Sequence, residues 1–256
     1  MRRPRRCLGN GRRTVAAFAA ARTLRRAPVR GVRFLTAARG SPLALDLDGT
    51  LIGCRERHVE LAAQLALELG GVSLDRDVFW EHKRNGASTA QSLTRVGVAP
   101  EAAAEIASAW VAQIEQPQWL ERDCLMPDVT EVLASLRTMD VVPFIVTARQ
   151  DAGAVLWQLG RLGLGALIAN TTVVSPFNAA AEKADALTRI VATGFIGDTE
   201  LDASAARAAG VPFAAVSSGQ RSERFLRSAG VAFVHSHLRS AVARLVRPQW
   251  TSLGSA

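Results

Sequence analysis

Asp46-Leu47-Asp48-Gly49-Thr50-Leu51 follows the apolar run Pro42–Leu45 directly. If that run is a strand, both carboxylates lie on one face at its carboxyl end, because residues two apart in a strand point the same way. Gly49 then allows the backbone to turn sharply. Two convergent carboxylates suit a divalent cation together with acid/base or nucleophilic chemistry. The alternative is a hairpin turn built on the Asp-Gly pair.

The composition fits a globular chain in a reducing compartment. The chain has 256 residues, of which 48% are hydrophobic, and it can bury a substantial core. No stretch approaches the roughly 18 uninterrupted apolar residues of a membrane-spanning helix. The three cysteines (Cys7, Cys54 and Cys124) are odd in number and lack metal-ligand spacing. This pattern predicts a cytoplasmic protein without a disulfide framework.

The net charge of +8 comes from the N-terminal segment. Residues 1–45 contain twelve arginines, no lysine and no acidic residue. The rest of the chain has 19 basic and 23 acidic residues, hence a charge of −4. Residues 1–40 are therefore interpreted as an Arg-rich extension that is disordered.

The extension has several interpretations. It could be an arm that contacts nucleic acid or an anionic membrane. It could also be an organelle transit peptide, although it contains little serine, or a twin-arginine export signal beginning at Arg12-Arg13. It could equally be an extension without function.

From residue 41 the pattern is typical of an α/β fold. Apolar strand-like runs alternate with helical stretches, which predicts a Rossmann-like parallel sheet with helices on both faces, a three-layer α/β/α core. The predicted strands are Leu43–Leu47, Val141–Val146, Ala166–Val174, Gly194–Ile196, Val211–Val216 and Val231–Val234. The core is assigned to residues 41–55 and 126–246, with a frayed tail at 247–256.

Residues 56–125 are predicted to be helical throughout. Helical stretches at Glu60–Leu69, Asp75–His82 and Ala102–Ile114 are joined by polar or Gly/Pro turns. A helical block between the first strand and the rest of the sheet indicates an inserted all-helical cap domain.

Three later positions add to the first motif. Thr147 ends the strand-like run Phe144–Val146 and could donate to a phosphoryl oxygen, or could only cap the next helix. Lys183 begins a predicted helical stretch, Lys183–Val191, and is one of only two lysines in a chain with 29 arginines. A retained lysine suggests that a compact ammonium is needed, although a lysine there is usually just solvated.

The third of these later positions is the fourth motif of the chain, Gly197-Asp198-Thr199-Glu200-Leu201-Asp202, which follows the predicted strand Gly194–Ile196. Its carboxylates Asp198 and Asp202 can complete a magnesium site, or can cap a helix. Ligands bind parallel sheets along the edge where the strands end, and the four positions all fall there or just beyond.

Over residues 42–245 these motifs resemble the haloacid dehalogenase superfamily, with a helical C1-type cap and a likeness to its phosphoglycolate-phosphatase-like branch. The resemblance implies a bound Mg²⁺ and an aspartyl-phosphate intermediate. Asp46 would be the nucleophile and Asp48 the acid/base. Since the dehalogenases of the superfamily lack that second Asp, Asp48 favours phosphoryl chemistry. Thr147, Lys183 and Gly49 would bind phosphate. The metal would be held by Asp46, the main-chain carbonyl of Asp48, Asp198 and, as a ligand or an orienting group, Asp202.

The substrate implied by the resemblance is a small phosphorylated metabolite. Within the cap, Lys83 and Arg84 are candidates to meet a second anionic group, although the segment could be only a solvated turn. Arg149 could face the substrate or pair with a core acid. A phosphosugar mutase on the same core is the closest alternative. A non-catalytic protein that binds nucleic acid through the Arg-rich arm is the alternative from another class.

Overall fold

The computed structural model describes residues 40–246. The predicted Arg-rich extension, apart from Gly40, and the predicted tail at 247–256 lie outside the described residues. The remaining chain, from the first predicted strand onward, forms one compact unit.

Six strands form a parallel sheet in the order β5-β4-β1-β6-β7-β8. They are β1 (Ser41–Leu45), β4 (Val141–Ala148), β5 (Asn170–Val174), β6 (Gly194–Gly197), β7 (Phe213–Val216) and β8 (Val234–His235). The strand that carries the first motif lies in the middle, between β4 and β6.

Alternating residues of β1 pack on opposite faces of the sheet. Leu43 and Leu45 join an apolar cluster that includes the side chains of Val129 and Leu136, whereas Ala44 joins a different cluster that includes Leu187. This alternation buries both faces, which a parallel sheet requires. The helices that cover the faces are α6 (Val129–Thr138), α7 (Ala152–Arg161), α8 (Ala179–Arg189), α9 (Glu200–Ala209), α10 (Glu223–Ser228) and α11 (Leu238–Leu245).

Five helices lie between the first strand and the rest of the sheet. They are α1 (Arg55–Gly70), α2 (Arg76–Arg84), α3 (Thr89–Arg95), α4 (Pro100–Gln113) and α5 (Pro117–Leu120). We refer to residues 54–123 as the helical insertion. It has an apolar cluster of its own, built around Leu61, Phe79 and Ile106.

Two short strands flank the helical insertion. β2 (Ile52–Gly53) pairs antiparallel with β3 (Cys124–Leu125), with Gly53 opposite Cys124. The chain therefore enters and leaves the insertion side by side, through one small two-stranded sheet. Sequence patterning did not predict this sheet, because each strand is only two residues long.

The fold class predicted from the sequence is confirmed: a parallel sheet between helical layers, with a helical insertion. Some predicted bounds were wrong. The strand predicted at Leu43–Leu47 ends at Leu45, before the first motif. The helix expected to begin at Lys183 begins at Ala179, so Lys183 lies in its second turn. No helix within residues 40–246 combines the length and apolarity needed to cross a membrane.

Candidate active site

The first and fourth motifs and Thr147 meet at the carboxyl edge of the sheet. Leu45, the last residue of β1, is in register with Ile145 of β4 and Ile196 of β6. The residue after it, Asp46, therefore lies beside the ends of both neighbouring strands. Thr147 lies two residues after Ile145, and Asp198 lies two residues after Ile196.

Lys183 reaches this edge from the second turn of α8. Its Nζ donates to Asp46 Oδ1 at 2.9 Å and to Asp202 Oδ1 at 2.5 Å. All three side chains are buried. The ammonium thus joins the first motif, after β1, to the fourth, at the start of α9.

The loop after β6 is fixed by the start of α9. Thr199 caps the helix in a capping box with Asp202, whose Oδ2 accepts from the Thr199 main-chain nitrogen at 3.0 Å and from its hydroxyl at 2.6 Å. A capping box satisfies the free amides of a helix start. Asp202 therefore uses one oxygen for the helix and the other for Lys183.

Asp198 is held differently. Its Oδ2 accepts from the main-chain nitrogen of Gln220 at 2.5 Å, whereas its buried Oδ1 has no hydrogen-bond partner among residues 40–246. A buried carboxylate oxygen without a partner is costly unless a ligand takes it.

Two glycines make room for the Asp198 carboxylate. A Cβ at Gly49 would lie 2.1 Å from Asp198 Oδ2, and one at Gly219 would lie 2.2 Å from the same oxygen. Gly49 also has φ +79°, which other residues rarely adopt. The main-chain amide of Gly49 donates to the carbonyl of Ile52. This turn therefore already uses the amide that Gly49 would need for its predicted contact with phosphate.

Asp46, Asp198 and Asp202 form a carboxylate cluster in which one ligand oxygen from each lies within 4.8 Å of the others. Mg²⁺ prefers oxygen ligands and few protein carboxylates. The unpartnered Asp198 Oδ1 is suited to bind a cation. The residues present therefore fit Mg²⁺, which would be held by Asp46 and Asp198, with Asp202 beside them.

The charges in this cluster are unbalanced. Three carboxylates face one ammonium, so two negative charges remain to be neutralised. Burial and the neighbouring Asp202 and Asp48 raise the pKa of Asp46 to about 7, although Lys183 opposes the rise. Burial lowers the pKa of Lys183, but Asp202 and Asp46 outweigh it and raise that pKa above its ordinary value.

Asp48 lies in a different environment. Its carboxylate accepts from the Nη2 of Arg149 at 2.7 Å, and also from the Nε of Arg149 and the Nη2 of Arg57. Burial raises the pKa of Asp48, but Arg149 and Arg57 outweigh burial and hold it well below its ordinary range. Arg149 was expected to face the substrate or to pair with a core acid, and in the structure it pairs with Asp48.

Lys83 is buried at the end of α2. Its Nζ donates to the hydroxyl of Thr89 at 2.8 Å and lies 4.7 Å from the centroid of the Trp110 ring. No carboxylate among the described residues pairs with it. Burial, with a contribution from Arg221, lowers the pKa of Lys83 to about 8.

Arg84 is directed at the core. Its Nη2 donates to the carbonyls of Ser217 and Arg221, the latter at 3.4 Å, while its own carbonyl accepts from the Ser222 amide at 2.9 Å. A Cβ at the nearby Gly86 would lie 2.2 Å from the Phe225 ring. Arg84 thus fastens the helical insertion to the loop after β7 through its Nη2, whereas its buried Nε has no hydrogen-bond partner among residues 40–246.

Sequence reasoning missed Arg57, which is 1% exposed and binds Asp48. Arg57 is in the first turn of α1, which begins at Arg55, five residues before the predicted start at Glu60. A charged residue in a first helical turn is normally taken as solvated, so the sequence carried no signal for its burial.

Comparison with known proteins identifies the family. The family model of haloacid dehalogenase-like hydrolases matches residues 43–210, more than half of the chain. No curated protein sequence matches significantly.

Solved structures of similar fold cover most of this chain and nearly all of their own. A haloacid dehalogenase-like hydrolase from Streptococcus pneumoniae has a TM-score of 0.62 at 18% identity, covering 81% of this chain and 99% of its own. A predicted phosphoglycolate phosphatase from Haemophilus somnus has a TM-score of 0.60 at 14% identity, covering 80% and 98%. A protein provisionally named a β-phosphoglucomutase from Thermotoga maritima has a TM-score of 0.55 at 17% identity, covering 80% and 98%.

Proposed function

Because the chain belongs to the haloacid dehalogenase-like hydrolases, we propose that it is a magnesium-dependent phosphatase acting on a small phosphorylated metabolite. The observation that carries the proposal is the buried cluster at the carboxyl edge of the sheet. Asp46 is held there by Lys183 beside the unpartnered oxygen of Asp198. The helical insertion is proposed to be the cap that covers this cluster.

The first step is transfer of the phosphoryl group to Asp46. A carboxylate oxygen of Asp46 forms a bond to phosphorus while the bond from phosphorus to the leaving oxygen breaks. Asp48 gives a proton to that leaving oxygen. Because Arg149 and Arg57 hold the pKa of Asp48 well below its ordinary range, it is proposed to take up this proton only when a bound phosphoryl group brings negative charge beside it. Lys183 and Thr147 are proposed to hold the phosphoryl oxygens. When bound, Mg²⁺ neutralises phosphate charge and orients the group for in-line displacement.

The second step hydrolyses the aspartyl phosphate. A water molecule attacks phosphorus, Asp48 accepts its proton, and the bond between phosphorus and the Asp46 oxygen breaks. Inorganic phosphate leaves and Asp46 is regenerated. The same residue serves first as acid and then as base, so its protonation state is restored after each turnover.

The substrate is proposed to carry a second anionic group, which Lys83 would bind. A buried ammonium without a carboxylate partner is expensive, and an anion brought by the substrate would offset that cost. The rings of Trp80 and Trp110 both pack against His58 on the same side of the insertion, and burial and the nearby Lys83 keep the pKa of His58 well below its ordinary value. Lys83 is thus the available cation in this part of the described chain.

Replacing Lys83 with Met is expected to raise KM for a doubly anionic substrate about tenfold to a hundredfold, because a buried charge contact is lost. KM for para-nitrophenyl phosphate, which lacks a second anion, should change little. Arg84→Met is the matched comparison. Since Arg84 bonds to the core, its loss should affect both substrates equally. Equal effects of Lys83→Met on both substrates would remove Lys83 from recognition.

The pH dependence of this preference follows from the Lys83 pKa of about 8. Below pH 8 the ammonium is charged and attracts the second anion, and above it the charge is lost. The kcat/KM for a doubly anionic substrate, divided by that for para-nitrophenyl phosphate, should therefore fall as pH rises through 8. The other charged or ionisable groups near Lys83 are Arg221, His58 and Cys54. A ratio that falls equally in Lys83→Met would mean that Lys83 is not the group whose charge is lost.

The proposed function is tested by measuring phosphate release from a panel of phosphorylated metabolites with Mg²⁺. Release that disappears in Asp46→Asn is the expected result. Isomerisation of a sugar phosphate without release would instead favour the mutase, the second candidate, whose fold is shared by the Thermotoga maritima protein. Salt-sensitive nucleic-acid binding that is lost on deletion of residues 1–39, without any turnover, would favour the binding role of the arm.

A cytoplasmic location is also proposed, on the cysteine content. Cys54 and Cys124 are free thiols, and Cys54 is buried. Cys54 directly follows β2 and Cys124 lies on β3, and the two thiols form no disulfide.

A further inference from the structure

A closed ring of five buried side chains contains Asp48. The Nη2 of Arg149 bonds to Asp48 Oδ1 at 2.7 Å and to Gln158 Oε1 at 3.2 Å. The Nε2 of Gln158 donates to Asp123 Oδ2 at 2.7 Å. Asp123 accepts in turn from the Nε of Arg57 at 3.1 Å, and Arg57 returns to Asp48. None of the five is more than 8% exposed.

The ring joins the core to both ends of the helical insertion. Arg149 follows β4 and Gln158 lies on α7, both in the core. Arg57 lies in the first turn of α1, just after β2, and Asp123 directly precedes β3. The two residues on the insertion side thus flank the small sheet through which the chain enters and leaves the insertion.

The charges within the ring are matched. Two guanidinium groups face two carboxylates, and the Gln158 amide presents its oxygen to a cation and its nitrogen to an anion. This matching of charges contrasts with the cluster around Asp46, where negative charge is in excess. The buried Nη1 of Arg149 has no hydrogen-bond partner among residues 40–246, whereas both Asp48 oxygens are bonded within the ring. A buried network rigidifies the groups whose hydrogen bonds are made, so the ring is suited to fix the Asp48 carboxylate in place.

We infer that Arg57, Asp123 and Gln158 are positioning residues that hold the Asp48 carboxylate where it exchanges protons with the leaving group and with water. The inference rests on the proposed function, because only a phosphoryl-transfer reaction gives Asp48 that task. Since Arg57 and Asp123 belong to the insertion, the acid/base residue is in place only while the insertion is seated on the core. Proton transfer needs tight geometry, so a small displacement of Asp48 slows it.

The test compares two leaving groups. β-Glycerophosphate has an alkyl leaving group that needs protonation, whereas para-nitrophenyl phosphate has an aryl leaving group that departs readily without it. The kcat/KM value reports the first chemical step for each. Gln158→Leu should lower kcat/KM for the alkyl phosphate at least about tenfold more than for the aryl phosphate, since acid/base catalysis contributes a hundredfold or more.

Arg161→Met is the matched control. Arg161 lies one turn further along α7 and donates to the carbonyls of Asp123 and Leu120, so it contacts the same segment without joining the ring. Its loss should lower both kcat/KM values equally. Arg57→Lys keeps a charge but cannot bond two carboxylates as a planar fork does, so it should show the selective loss in weaker form.

Three results would overturn the inference. Equal losses for both substrates in Gln158→Leu would mean that the ring has only a structural role. A gain with the alkyl phosphate would mean that the ring restrains Asp48. Phosphate release that persists in Asp46→Asn would overturn the proposed function itself, and the inference with it. Release that depends on Asp46, with equal losses in Gln158→Leu, would overturn the inference alone.

Discussion

Replacing Asp46 with Asn is expected to abolish phosphate release, with kcat falling at least about a thousandfold, as for other nucleophile deletions. The amide cannot form an acyl phosphate, and it presents a neutral group to Lys183 and the metal. The fold should persist, because Asn has the same shape and still accepts a hydrogen bond from the Lys183 ammonium. Thermal unfolding and circular dichroism would establish that the variant is folded.

Asp185→Asn is the matched control for this experiment. Asp185 lies on α8, two residues after Lys183, and its side chain is exposed. The same change of a carboxylate to an amide there should leave kcat unchanged. Substantial release by Asp46→Asn would mean that another residue is the nucleophile.

Removing Mg²⁺ with a chelator is expected to stop turnover, and Asp198→Asn to raise the Mg²⁺ concentration needed for it by on the order of a hundredfold. The reason is the excess of negative charge among Asp46, Asp198 and Asp202, for which Lys183 is the one cationic partner within residues 40–246. Asn at position 198 removes one of those charges and weakens the ligand that has an unpartnered oxygen.

A measurement that does not depend on turnover checks the same point. A ligand that binds only the folded state raises its stability. Mg²⁺ should therefore raise the Tm of the wild type, and the rise should be much smaller in Asp198→Asn at the same concentration. Turnover unaffected by chelation, together with a Tm insensitive to Mg²⁺, would contradict the metal assignment.

The parts of the site that the sequence predicted are those at strand ends. Asp46, Thr147 and Asp198 each follow an apolar run, and the parallel sheet brings the ends of such runs to one edge. Local patterning was sufficient there, because the strands are parallel and end at one edge, where β1 lies between β4 and β6. The helical insertion was recognisable for a similar reason, since its helices have apolar faces that form their own cluster.

The parts that were not predicted depend on contacts between distant segments. Arg57 and Asp123 are 66 residues apart, and Arg149 and Asp48 are 101 residues apart. Nothing in the spacing of these charged residues distinguishes a buried partner from a solvated one. Arg84 shows the same limit: its neighbours in sequence suggested an anion site, whereas its partners are main-chain carbonyls more than a hundred residues away.

In the proposed mechanism the phosphoryl group is bonded covalently to Asp46 during turnover. The enzyme can be quenched in acid during turnover with Mg²⁺, and the phosphoryl group located by peptide mass spectrometry. Asp48→Asn, in which hydrolysis of the intermediate should be slow, can be used with para-nitrophenyl phosphate to increase its amount. The expected result is a phosphoryl group on Asp46. A phosphoryl group on another residue, or none at all while phosphate is being released, would mean that Asp46 is not the nucleophile.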